Sequence, residues 1–457
     1  MLFALGVTTI VLSSLATVAS PFVGLLIYWV WVLVRPQEAW NGFGGDLPLE
    51  RILVLVLFAS TLLRGKLRQL PDLDRGRAVL ALGVFLAINY LSVATSLERG
   101  NSFWTATELA KTMLFSGCIV TLIGDELELR KSLWAYTLAI AWTAVSSVWN
   151  YETHPYFRQG IQRATALVDM LGDPNSVAET LVLALPIIFV LFRTARKAGR
   201  MLLLGVSAAA LVCIVITGSR MGFILLLVVV GSIARRSQRA RLLVPGMLVL
   251  LVLGWMAMPA EYQERYKTIL PFLENPLHEG NSAEEESAHG RIAGFEVAWQ
   301  MFTDRPVLGV GAGNFPYAWR SPTTPYNYQG LKSWHQPHNL PGKILSELGL
   351  LGFLSFGGYL LAVWRELRMA KLAMEATTNP SPLLSRLVAA VSTQLIVLLV
   401  GGLSGHGIYR VDWYVVGALA VVTCRLATRR VSTPMDATAE LGRGFAAYRL
   451  NALKGSG

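Results

Sequence analysis

The sequence predicts an all-α polytopic membrane protein of about 12–13 transmembrane helices, with one long outer (periplasmic) loop carrying short helices. Three observations predict it. Of the 457 residues, 53% are hydrophobic and only 15% charged, against about 25% charged in soluble domains. The apolar residues gather in blocks of about 15 to 22 with few charges, long enough to cross a bilayer as helices. One polar interval, Glu261 to Asn339, interrupts the series. Lipid offers no partner to backbone N–H and C=O, so the apolar blocks are expected to be helical.

The expected spans lie near 2–19, 21–35, 48–64, 77–95, 104–123, 129–149, 175–193, 200–217, 221–235, 241–259, 340–364, 385–405 and 411–428. Pro21 removes a donor between the first two, which form either one broken crossing or two. The first block has no Lys or Arg ahead of its apolar run, and Pro21 follows Ala19 and Ser20 directly, so it reads as retained rather than as a cleaved signal. In the polar interval, Ala260 to Thr268 reads as a short helix and Pro271 to Gly290 as a turn-rich, acidic, mobile loop. Arg291 to Thr303 reads as an amphipathic helix, with Phe295, Ala298, Trp299 and Phe302 at helical spacing. A Gly-rich run from Arg305 to Phe315 follows, then a Pro/Tyr loop, then WHQPHN (Trp334 to Asn339). The chain thus divides into a membrane domain, 1–430, that includes the outer loop 260–340, and a polar cytoplasmic tail, 431–457.

Net charge is +11, and its location carries the information. Lys and Arg crowd alternate loops: Arg64 to Arg77, Arg193 to Arg200, Arg235 to Arg241, Arg365 to Lys371, and the tail with Arg425, Arg429 and Arg430. By the positive-inside rule these loops are cytoplasmic, and 36–50, 150–174, 260–340 and 406–410 face outward. The charges are scattered over short turns rather than arrayed on one basic face, which argues against nucleic acid as a partner and for membrane lipids. Cys118, Cys213 and Cys424 fall inside apolar blocks and read as small packing residues. No His, Asp, Glu or Cys set has metal-ligand spacing, and His335 with His338 are too few.

Three basic residues fall at outer ends of segments: Arg220 in TGSRMG, Arg291 at the start of the loop helix, and His338 before the span that opens near Leu340. Arg163 and the run Gly172 to Asn175 lie on the preceding outer loop. Charge at a membrane boundary is costly unless paired or hydrated, and marks a functional candidate. Guanidinium matches phosphate oxygens and stays charged. Histidine titrates near neutrality and can accept a hydroxyl proton. Two arginines and a histidine therefore suit glycosyl transfer from a diphosphate-linked donor, with Arg163, Asn339 and His335 as substrate-binding neighbours. Each also has a structural alternative: Arg220 can snorkel to head groups, Arg291 can pair with Glu296 or Glu284 to Glu286, and His338 can be a boundary residue bonded to backbone. The pattern Gly309, Gly311, Gly313 lacks the strand and acidic partner of a dinucleotide loop, so it reads as a tight turn with close backbone approach.

The order GSRMG, then HGRIAGFEVAWQMFTDRPVLGVGAGNF, then HQPHNLPGKILSELGLLGFLSF resembles the O-antigen ligase and polymerase superfamily, most strongly over Asp173 to Phe356. That resemblance implies a helical, metal-independent, inverting glycosyltransferase of the bacterial inner membrane that needs no cofactor. Its donor would be a glycan on undecaprenyl diphosphate and its site would lie at the periplasmic face. It also implies that Arg220 and Arg291 hold the diphosphate and that His338 is the base. The segment AMPAEYQERYKTI resembles members found beside exosortase systems, which leaves the acceptor as lipid A–core or a secreted protein. Two alternatives remain at this level. One is a polymerase of the same superfamily, extending lipid-linked repeats. The other is a transporter or flippase, disfavoured because the spans hold few ionisable residues, Glu108 and Lys111 being the clearest.

Overall fold

The computed structural model describes residues 2–36, 49–65, 77–158, 160–166, 172–236, 255–256, 258–267, 283–326 and 336–432. The chain is all-α. Its helices are α1 (Leu2–Ala19), α2 (Pro21–Val34), α3 (Leu49–Leu63), α4 (Arg77–Leu91), α5 (Arg99–Leu122), α6 (Glu126–Thr153), α7 (Pro174–Thr194), α8 (Lys197–Ile216) and α9 (Arg220–Arg236). Then follow α10 (Ala260–Lys267), α11 (Ala283–Asp304), α12 (Phe315–Arg320), α13 (Leu340–Glu375), α14 (Pro382–Gly402) and α15 (Val411–Ser432). A two-residue antiparallel ribbon, Phe157–Arg158 with Ile161–Gln162, is the one sheet among the described residues.

Helix starts follow local chemistry. Asp173 accepts from Ser176 N ahead of Pro174, Asp125 accepts from Glu128 N, and Ser381 accepts from Leu384 N ahead of Pro382. Each side chain satisfies an orphan donor of the first turn, and proline at the first helical position has no donor to lose. Six helices or helical stretches are long and apolar enough to cross a membrane: Arg77–Thr95, Pro174–Thr194, Lys197–Ile216, Leu340–Glu375, Pro382–Gly402 and Val411–Arg430. The chain is a multi-pass membrane protein. The expected span 241–259 lies largely outside the described residues, as does most of the tail.

The structure resolves the question at Pro21. A side-chain carbon on Gly24 would overlap Thr17, although in one continuous helix these residues stand about 10 Å apart along the axis. α1 and α2 are therefore two helices folded back on each other. A second expectation needs correction. The acidic stretch before Arg291 is not a turn: α11 begins at Ala283, so Arg291 sits well inside it. Ala, Glu and Ser carry adequate helix propensity, and one interior glycine, Gly290, costs only about 1 kcal/mol.

Glu108 and Lys111 do pair, Nζ to Oε2 at 2.6 Å, and belong to a wider network. Lys111 also reaches Glu50 at 3.1 Å, Arg35 reaches Glu50 at 3.3 Å, and Arg51 Nε donates to Glu108 at 2.8 Å while its guanidinium lies over Trp104. Pairing of this kind is what lets charge reside among apolar helices. At the arginine-rich end, Arg425 Nη1 donates to Val120 O at 2.7 Å and Nη2 to Ile123 O, and Arg430 pairs with Glu126 at 2.7 Å. Cys118, Cys213 and Cys424 are buried and unbridged, as packing residues would be.

Beside the main core there are two small ones at the opposite end. One packs Ala293, Val297 and Met301 of α11 on Phe315 and Trp319 of α12. The other packs Tyr262 and Tyr266 of α10 on Ile161. These seat α10, α11 and α12 on the helix bundle.

Candidate functional site

His338 stands immediately before α13. Asn339 is the N-cap of that helix: its Oδ1 accepts from Gly342 N at 2.6 Å and its Nδ2 donates to Pro337 O at 2.8 Å. His338 itself adopts φ +51°, a left-handed conformation that non-glycine residues hold only when surroundings impose it. Just upstream, Lys343 Nζ donates to Gln336 Oε1 at 2.7 Å.

Lys343 also pairs with Glu347 at 2.6 Å, the side chains 4% and 0% exposed. A buried pair persists only with its remaining lone pairs satisfied. Glu347 meets that condition: Oε1 accepts from Phe315 N at 3.0 Å, and Oε2 from Gly313 N at 2.9 Å and Tyr409 Oη at 3.0 Å. One carboxylate thus binds the Gly-rich run, the helix that follows His338, and the α14–α15 turn.

The Gly-rich run does more than turn. α13 is broken at Gly349, φ +61° and ψ −160°. The break exposes backbone groups that no helix satisfies, and the run fills them. Val310 N and Gly311 N donate to Ser346 O and Glu347 O, both at 2.9 Å, while Leu350 N and Leu351 N donate to Pro306 O at 2.7 Å and Val307 O at 3.2 Å. Broken helices are tolerated in membrane proteins when the freed groups find such partners. A side-chain carbon on Gly349 would overlap Val307, and one on Gly309 would overlap Glu347 backbone, so both positions require glycine. Ser102 Oγ to Ala312 O at 3.0 Å and Leu97 N to Val310 O at 3.0 Å fasten the run to α5 and its preceding turn.

The arginines form the second half of the site. Arg220 opens α9, half-buried, just after the turn Thr217 to Ser219. Two further arginines grip that turn. Arg163 Nε donates to Thr217 O at 2.6 Å and Arg265 Nε to Gly218 O at 2.7 Å. Both are buried, at 2% and 7% exposure. Arg163 also donates to Asn175 Oδ1 at 3.0 Å. Burial and the neighbouring Arg265 bring the Arg163 guanidinium down to about 10, still charged at neutral pH. Arg265 rides on α10, whose Tyr262 Oη donates to Gln162 O at 2.6 Å and whose Tyr266 Oη donates to Val215 O at 3.2 Å.

Arg410 connects the halves. It pairs with Glu179 on α7 and with Asp412, both at 2.6 Å. Burial alone would lower it, but Glu179 and Asp412 raise it beyond any titration in the working range. α7 carries Asn175, which meets Arg163, and the turn of Arg410 carries His406, whose ring meets His338 with centroids 5.2 Å apart.

His338, Asn339, Arg220 and Arg163 therefore gather at one end of the bundle, Asn339 as a cap and Arg163 as a brace of the Arg220 turn. Arg291 lies on α11, whose Gly294 presses against Gln336 and Pro337 beside His338. His335 lies outside the described residues. Sequence reasoning missed Arg265, Lys343, Glu347, His406 and Arg410. The spacing of Tyr262, Arg265 and Tyr266 on one helical face was a usable signal for the first. Lys343 and Glu347 stand four residues apart on one helix and offered the same kind of signal, whereas His406 and Arg410 are joined to the site by tertiary contacts and had none.

Residues 205–357 match the protein-family model described as O-Antigen ligase. The match spans Arg220, α11, the Gly-rich run and His338, and stops short of Arg163 and His406. No curated protein matches the chain.

Proposed function

Through residues 205–357 this chain belongs to the O-antigen ligase superfamily, and on that premise we propose that it transfers a glycan from undecaprenyl diphosphate to an acceptor hydroxyl at the periplasmic face. The acceptor would be lipid A–core or a secreted protein. His338 removes the hydroxyl proton as that oxygen attacks the anomeric carbon from the face opposite the diphosphate. The bond from that carbon to the phosphate oxygen breaks, undecaprenyl diphosphate leaves, and the anomeric centre inverts. Arg220 and Arg291 stabilise the charge growing on the leaving group. Arg163 and Arg265 hold the turn that presents Arg220.

The observation that carries this reading is that a histidine with imposed backbone geometry and an arginine-braced turn share one end of a bundle of apolar helices. Phosphate chemistry needs the second, and proton removal from a hydroxyl needs the first. The test is transfer by purified protein in detergent with EDTA, from an undecaprenyl-diphosphate glycan to lipid A–core, comparing wild type with Ala variants of His338, Arg220 and Arg291. Transfer by wild type and its loss in all three, with folding intact, is expected. Full activity in the three variants overturns the assignment. Ladders built from single repeats, without lipid A–core, would place the chain on the polymerase branch.

A further inference from the structure

The turn between α14 and α15 carries a histidine that the transfer step above does not use. His406 and His338 meet edge to face, centroids 5.2 Å apart and planes at 86°. Both are held in place. His338 has its left-handed backbone and the Asn339 cap beside it. The turn of His406 is pinned by Tyr409 Oη on Glu347 (3.0 Å), Trp413 Nε1 on Gly407 O (3.1 Å), Tyr414 Oη on Ile408 O (2.7 Å) and Arg410 on Glu179 (2.6 Å).

His406 is not a hydrogen-bonding strut. Its Nδ1 is buried and, among the described residues, has no hydrogen-bond partner, an uncommon situation that asks for an explanation. Nor is it a cation. Burial, then Lys343, His338 and Arg410, hold it down to about 3. The carboxylates on the packed elements do not offset this, because Glu347 is engaged by Lys343, and Glu179 and Asp412 by Arg410.

We propose that His406 is a positioning residue for His338: its ring, packed edge to face, sets the plane of the His338 imidazole so that one nitrogen faces the acceptor hydroxyl. The proposal rests on the reading of His338 as the base. In the step, His338 becomes imidazolium and His406 gains and loses nothing. A ring is what this role requires, and a second titrating group beside the base would work against it.

The test compares full-length wild type with His406→Ala, His406→Phe and His338→Ala in transfer assays across pH. His406→Ala is expected to lower kcat at least about tenfold with donor KM within about twofold, and His406→Phe to stay within about threefold of wild type. Both wild type and His406→Phe should show a single ionisation on the acid limb of kcat. An unchanged kcat in the Ala variant, a Phe variant as impaired as Ala, or two ionisations in wild type would overturn the proposal. Transfer by His338→Ala would overturn the base reading and this one with it. A readout independent of turnover comes from carbon NMR at the imidazoles, tractable with six histidines in the chain. The His338 titration should move in His406→Ala and stay in place in His406→Phe; no movement in either speaks against the pairing.

Discussion

Gly294 lacks a side chain where Pro337 passes. A carbon placed there would stand 3.0 Å from Pro337 Cα and 2.9 Å from Gln336 O, both backbone atoms with little freedom to yield. The helix carrying Arg291 thus sets the position of the segment that ends in His338.

Gly294→Ala separates two effects of this contact. Alanine gains about 1 kcal/mol of helix propensity, which offsets the crowding, so thermal stability should change little. Transfer should fall about tenfold, since displacement of a catalytic group by less than an ångström is costly. Parallel melting and kinetic measurements check the separation; equal losses in both would contradict it.

The Lys343–Glu347 pair should respond asymmetrically. Glu347→Gln leaves a buried ammonium without its counter-charge, at a cost of about 3–5 kcal/mol. Lys343→Met leaves a carboxylate still served by Gly313 N, Phe315 N and Tyr409 Oη, and should cost less. The double variant should be more stable than the sum of the singles implies. Chemical or thermal denaturation of all four proteins in one detergent provides the cycle.

Arg265→Lys is expected to behave like Arg265→Ala. Lysine has no counterpart of the Nε–H that meets Gly218 O at 2.7 Å, and hydrogen bonds to charged groups contribute about 1.5–3 kcal/mol. The loosened turn carries Arg220, so donor KM should rise while acceptor KM holds. Rescue by lysine would show that only charge matters there.

Acid should destabilise the protein partly through His406. Its ordinary value is 6.5 and the folded value about 3. Between the two, the unfolded chain binds a proton that the folded chain refuses, so the stability present above 6.5 is lost as pH falls toward 3. His406→Phe removes this contribution. Its melting temperature should therefore drop less than that of wild type between about pH 7.5 and pH 5, as differential scanning at the two values will measure.

Much of the architecture was legible because the membrane makes few demands and makes them loudly. Apolar blocks of fixed length must be helices, and Asp-Pro and Ser-Pro pairs mark where they begin. Arg220 and His338 stood out as candidates because few basic residues lie at the span ends opposite the arginine-rich loops. The break in α13 was not. LSELGLLGFL reads as one continuous apolar helix, and nothing local says that Gly349 adopts φ +61° to receive the run after Arg305. The start of α11 was hidden by Ser287 and Gly290, which weigh as turn formers although the Ala and Glu around them favour a helix. His406 was invisible for a different reason. A lone histidine in a short turn gains meaning only from the ring it meets, and that ring lies in another element.

The arginines at the far end of the bundle carry a double burden. Arg425 donates to the carbonyls of Val120 and Ile123, and Arg429 to that of Gly124 at 3.4 Å, which are the loose ends of α5. The residues that a charge-bias rule counts as an orientation signal are also the stoppers of a helix. Reversing their sign would both redirect insertion and uncork α5. For this chain, the choice of which way to face and the completion of the fold are one commitment, so an inverted molecule would also be an unfinished one.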